Sequence, residues 1–194
     1  QSSFTNYENS IGVINIVRDP RNVITSVKHY YSLKTYDEAF EFICNEKKFL
    51  GKFDSKNNYE RETQFPTFIS SWNNHYNTWK NFKKNRLLIR YEDLIDKPEK
   101  TFDTITTFLS KLLNLKINKH RIDEAIKHSS FDKLKKDEKK LELIEAPVDS
   151  KTKNKKQFFY LGPKNNWKEL LPNEIKQKIE KRFEKEMREL GYLN

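Results

Sequence analysis

The 194 residues predict a helix-rich α/β protein with a parallel sheet flanked by helices. Three observations carry this. Val13, Ile14, Ile16 and Val17 form a β-branched run suited to a strand covered on both faces, as in parallel sheets. A second apolar strand ends near Tyr91, and helical patterns without a hairpin signal separate the two, which favours parallel pairing. Elsewhere large apolar residues recur at helical spacing rather than in alternation.

Residues 1–10 are polar and read as loose. The strand at 12–17 runs into Arg18; Asp19 can then cap, and Pro20 start, a helix to about Ser32 with Val23, Val27 and Tyr30 or Tyr31 on one face. A short helix follows over 37–45, and residues 51–64 (Gly51, Asp54, Ser55, Asn57, Asn58) read as a polar loop. From Pro66 to Phe82, the residues Phe68, Trp72, His75 or Tyr76, Trp79 and Phe82 form one helical stripe. His75 there reads as a core or hydrogen-bonded histidine rather than a base, because its neighbours three and four residues away are packing aromatics.

The second strand, 86–91, leads through Glu92 and Asp93 to a helix over 98–113 with Phe102, Ile105, Phe108, Leu109 and Leu112 inward. Helices are also expected over 118–127 and 131–143. Residues 149–157 carry lysines and no apolar side chain, so they read as a flexible basic loop. A last helix over 172–190 places Ile175, Ile179, Phe183, Met187 (or Glu186) and Leu190 on one stripe.

The length suits one domain, 1–194, and 14 Phe, 9 Tyr and 3 Trp supply an aromatic-rich core although only 35% of residues are hydrophobic. The net charge of +10 invites a nucleic-acid reading, but the cations are scattered and mostly lysine, so no nucleic-acid partner is expected. One cysteine, Cys44, excludes an internal disulfide and a cysteine-rich metal site, and a reducing, cytoplasmic setting is the default expectation. No run of 18 apolar residues exists, so no membrane span is expected. The chain opens on Gln1 rather than Met and reads as a fragment.

The chemistry centres on Arg18. At a strand's carboxyl end, facing the crevice where α/β sheets collect ligands, an arginine meets anions with a rigid fork of donors. Ser26, two helical turns on, can add a neutral donor.

Arg18, Pro20 and Ser26 match an Arg-x-Pro-x-x-x-x-x-Ser pattern that resembles the 3'-phosphate-binding segment of sulfotransferases using 3'-phosphoadenosine 5'-phosphosulfate (PAPS). Four further segments resemble that family in order. They are residues 71–79 (Ser-Trp-Asn-Asn-His-Tyr-Asn-Thr-Trp), the strand ending Tyr91-Glu92-Asp93, residues 128–134 around Ser130-Phe131, and residues 158–168 around Gly162 and Trp167-Lys168. The resemblance covers nearly the whole chain. It implies a P-loop NTPase-like sulfotransferase fold, N-terminally incomplete, and an enzyme moving a sulfuryl group from PAPS to a hydroxyl or amine, leaving 3',5'-ADP, with no metal. A non-catalytic nucleotide-binding protein on the same fold is the alternative.

By the same resemblance, Arg18 and Ser26 bind the 3'-phosphate, Tyr91 contacts the adenine, Phe131 stacks on it with Ser129 beside it, and the backbone at Gly162 approaches phosphate. The 51–64 loop would lie near the acceptor entrance, and the 149–157 loop could order over bound nucleotide. Where the family has Arg-Lys before that glycine, this chain has Tyr160-Leu161, and Lys164 is expected to replace part of the charge. The family's phosphosulfate loop, of Pro-x-x-Gly-Thr type, has no counterpart among the glycines at 12, 51, 162 and 191. No catalytic residue is therefore assigned, the 194 residues alone are expected to be inactive, and the acceptor and the oligomeric state stay open.

Overall fold

A computed structural model of the chain describes residues 8–50, 67–138 and 152–194, with positions 140, 143 and 146–149 between them. The expected polar loop over 51–64 lies outside the described residues. Strand β1 (Gly12–Val17) leads through Arg18 to Asp19, whose carboxylate accepts from Arg21 N–H at 2.9 Å and caps α1 (Pro20–Tyr30) with proline at its start. Helix α2 (Tyr36–Cys44) is capped by Thr35 Oγ1, which accepts from Glu38 N–H. Two short strands, β2 (Phe49–Leu50) and β3 (Thr67–Phe68), pair antiparallel.

Helix α3 (Trp72–Lys80) precedes β4 (Asn85–Arg90), and α4 (Tyr91–Asp96), a helix not expected from the sequence, follows at once. Helices α5 (Pro98–Leu113), α6 (Lys119–His128) and α7 (Phe131–Glu138) come next. After a 3-10 turn at Gly162–Lys164 come α8 (Trp167–Leu170), α9 (Asn173–Arg182) and α10 (Glu184–Glu189).

β1 and β4 pair in parallel as expected, with Gly12 opposite Asn85 and Val17 opposite Arg90. The sheet is less enclosed than the β-branched run suggested. Asn15 and Val17 are buried on one face, while Ile16 on the other is 50% exposed. The main core lies between α1, α2 and the two last helices, where Ile24, Ala39, Ile43, Ile175, Ile179, Phe183 and Met187 pack together. Ile24, fully buried, leads the inner face of α1; Val23 and Val27 flank it.

Several expectations need correction. Phe68 is not on the α3 stripe; it lies in β3 against Phe49, because Ser70 takes a left-handed φ of 56° that stops any helix from reaching back through it. On α3 itself Tyr76 takes the inward place and His75 sits outside, accepting from Trp79 Nε1 at 3.4 Å. The last helix breaks at Phe183, whose φ of −117° ends α9, although the apolar stripe continues through the break. Glu186 and Met187 are both buried, Glu186 accepting from Asn77 Nδ2 at 2.8 Å.

In the described part of the lysine-rich loop, Asp149 and Val148 meet residues further along. The Asp149 carboxylate accepts from Thr152 N–H and hydroxyl, and Val148 bridges Lys155. Among the described residues no helix is long and apolar enough to cross a membrane.

Candidate functional site

The register of the two parallel strands brings the first functional pair together. One step beyond the Val17–Arg90 pair, Arg18 and Tyr91 leave their strands side by side, and the Arg18 guanidinium lies 4.3 Å from the centre of the Tyr91 ring. The backbone there is fixed from below, since Trp72 Nε1 donates to Arg18 O at 3.1 Å and Asp19 N–H donates to Glu92 Oε1 at 3.0 Å.

From α1 comes Ser26. Its hydroxyl accepts from Arg18 Nη1 at 3.4 Å and from Asn165 Nδ2 at 3.2 Å. Both are long contacts, which a bound oxyanion can replace with shorter, charge-assisted ones. Around them opens a cavity of about 660 Å³. Arg18, Ser26, Tyr91, Ser129, Phe131 and Gly162 all line it, so six residues singled out from four segments of sequence share one wall. Lys164 does not: it is exposed on the 3-10 turn and outside the lining.

Gly162 is there for a steric reason. Its φ is +54°, and a Cβ on it would come within 2.4 Å of the Phe131 ring. The glycine therefore lets the late loop lie flat on the aromatic face of α7. Ser129 ends α6, and its hydroxyl donates to Ile126 O at 3.3 Å.

Sequence reasoning missed Thr25, His29 and Asn165. Thr25 Oγ1, Asn165 Oδ1 and Arg18 Nε are all buried with no hydrogen-bond partner among the described residues, and all three residues line the cavity. Orphaned buried polar atoms are uncommon, and a concentration of them in one cavity fits a polar ligand such as a phosphorylated nucleoside. Asn165 also donates to Asn22 O at 2.9 Å, and Asn22 Oδ1 accepts from Trp167 N–H, so the late loop is docked on α1. Its only sequence signal was proximity to Gly162 and Trp167.

His29 stacks face to face on Tyr160, with centroids 3.9 Å apart and planes 2° from parallel. Its Nε2 donates to Gln157 O at 2.8 Å, which fixes the tautomer. Burial holds the imidazole below its ordinary pKa, with the Lys156 charge adding to that, against the opposing Gln157 bond and Glu138. Tyr160 stands where a second phosphate-binding cation was expected, so this wall is aromatic and neutral.

A family model described as a sulfotransferase domain matches residues 3–191. The chain is 25% identical over 186 residues to Sulfotransferase 1B1 of Canis lupus familiaris, covering 93% of this chain and 56% of that protein. It is 26% identical over 187 residues to Sulfotransferase 2A1 of Macaca fascicularis, covering 92% and 57%. The chain thus spans little more than half the length of these relatives. Among solved structures it resembles mouse sulfotransferase SULT7A1 complexed with PAP, with a TM-score of 0.60 and 21% identity over 91% of this chain and 58% of that one. That likeness speaks to the fold.

Proposed function

The chain belongs to the sulfotransferase domain family, and from that premise we propose that the whole protein moves a sulfuryl group from PAPS to a hydroxyl or amine of an acceptor, leaving 3',5'-ADP. In this reading residues 1–194 form one domain carrying the 3'-phosphate and adenine half of the donor site. The observation that carries it is the meeting of Arg18 Nη1 and Ser26 Oγ at 3.4 Å in a cavity that also holds Tyr91 and Phe131. A guanidinium with an unpartnered Nε, beside a hydroxyl and between two aromatic rings, suits a phosphate on a purine nucleoside.

Each residue then has a role. Arg18 and Ser26 take the 3'-phosphate. Tyr91 contacts the adenine, while Phe131 stacks on it near Ser129. Gly162 brings the loop backbone close to the phosphate, and Lys164 adds charge from outside. None of these groups takes a proton from an acceptor or grips the leaving bridge oxygen; both tasks belong to the phosphosulfate loop and base that have no counterpart in this stretch.

Thermal stabilisation compares 3',5'-ADP with 5'-AMP. We expect 3',5'-ADP to raise the melting temperature more, because only its ribose phosphate can reach Arg18 and Ser26. Equal shifts would remove the assignment. Tyr160 and Leu161 in place of two cations favour a second reading, a nucleotide-binding protein without catalysis. Transfer of labelled sulfate from PAPS by the whole protein would exclude it.

A further inference from the structure

Among the described residues lining the cavity, Arg18 carries the only guanidinium or ammonium group. A ribose phosphate brings close to two negative charges at neutral pH, so one cation leaves it undercompensated. A second cation stands at the rim on a different element. Lys135, on α7, donates from Nζ to the carbonyl oxygen of Tyr160 at 3.1 Å, and its ammonium lies 5.5 Å from the centre of the Phe131 ring.

Helix α7 is stitched to the late loop along one face. Phe131, Lys135 and Glu138 fall at i, i+4 and i+7, which places them in one row. Phe131 lies under Gly162, and Glu138 accepts from Phe158 N–H at 2.5 Å and from Phe159 N–H at 3.0 Å. Between these two fixed points Lys135 must meet the loop at residue 160. Both Glu138 oxygens are engaged by main-chain N–H groups, and Lys133 pairs with Asp137. Among the described residues no carboxylate lies within 4.0 Å of the Lys135 ammonium, whose charge meets there a carbonyl dipole and the face of the Phe131 ring.

We propose that Lys135 is the second phosphate-binding cation of this site, leaving the Tyr160 carbonyl to take an oxygen of the nucleotide's ribose phosphate. The charge missing from the side chain of residue 160 is thereby supplied to the phosphate from α7. The exchange is favourable because a carbonyl acceptor gives way to an anionic one, and four methylenes let the ammonium shift while α7 and the loop stay in place. This rests on the nucleotide reading above.

Calorimetric titration of the full chain with 3',5'-ADP and with 5'-AMP tests it, using the unaltered protein, Lys135→Gln and Lys135→Arg. Lys135→Gln should weaken 3',5'-ADP about tenfold, the scale of one charge-assisted hydrogen bond, and lessen the salt dependence of binding. It should leave 5'-AMP within about twofold, since that ligand lacks the group Lys135 would hold. Lys135→Arg should recover most of the loss. Unchanged 3',5'-ADP affinity in Lys135→Gln overturns the proposal, as does an equal loss for both nucleotides or a lowered melting temperature that arginine fails to restore. An unaltered protein that binds the two nucleotides alike overturns the nucleotide reading itself, and this proposal with it.

Discussion

Arg18 and Arg21 stand three residues apart on the same strand-to-helix junction and live in opposite environments. Arg21 is saturated. Its Nε and Nη2 donate to Asp19, Nη1 donates to Glu180 at 2.6 Å, Nη2 also reaches Tyr192 O, and its plane lies 3.9 Å from the centre of the Trp167 ring. Burial alone would lower its pKa; Asp19 and Glu180 outweigh that and raise it. Arg18 has one long bond to Ser26, a stack on Tyr91 and an idle Nε. One guanidinium has spent its donors on the fold, and the other has kept them for a ligand. A motif that places two arginines in one turn therefore does not mark two ligand residues.

The contrast breaks most visibly at Arg21. Arg21→Ala leaves Asp19, whose side chain is 5% exposed, as a buried uncompensated charge, and should cost about 3–5 kcal/mol in a denaturant titration. Arg18→Ala should do the reverse. Stability changes by no more than about 1 kcal/mol, while affinity for 3',5'-ADP falls by at least about a hundredfold in calorimetry. Similar stability losses in the two variants would erase the distinction. Gly162→Ala tests the cavity wall: left-handed backbone and a ring 2.4 Å from the new Cβ should cost about 1–3 kcal/mol and weaken nucleotide binding.

His29 sharpens the same comparison through pH. Its folded pKa lies below the ordinary value because of burial, so the unfolded chain binds a proton that the folded chain resists. That contribution to stability is complete above about 6.5 and shrinks as pH falls from there toward the folded value. His29→Phe keeps a ring on Tyr160 and removes the titration. Melting temperatures measured from pH 7 to pH 5 should fall less steeply in the variant. The smallest effect belongs to Lys164→Ala: an exposed ammonium outside the lining should change 3',5'-ADP affinity by no more than about threefold.

Much of the fold was legible where local chemistry and tertiary structure agree. The β-branched run, the Asp19-Pro20 cap and the absence of a hairpin signal led to β1, α1 and their parallel partner β4. Periodicity misled where backbone conformation overrode it. Phe68 fits a helical stripe by number, but Ser70 turns the chain left-handed between Phe68 and Trp72. Phe183 continues a stripe across a break because both pieces pack on the same core. The cavity residues with family-like spacing were visible, whereas Asn165, Thr25 and Lys135 were not. Their roles depend on contacts such as Asn165 with Ser26 and Lys135 with Tyr160, between segments 139 and 25 residues apart, which no local pattern encodes.

The Arg21 cluster also dictates an order of events while the chain is being made. Its bonds to Glu180 and Tyr192 span 159 and 171 residues, and Tyr192 donates to Glu92 Oε2, a hundred residues earlier, beside the Asp19 amide. During synthesis β1 and α1 leave the ribosome long before those partners exist, and Asp19 and Arg21 have only each other and water. The turn that aims Arg18 is locked only after the segment that carries Tyr192 has arrived. A ribosome stalled before that segment emerges would therefore display a β1–α1 junction that Glu180 and Tyr192 do not yet hold.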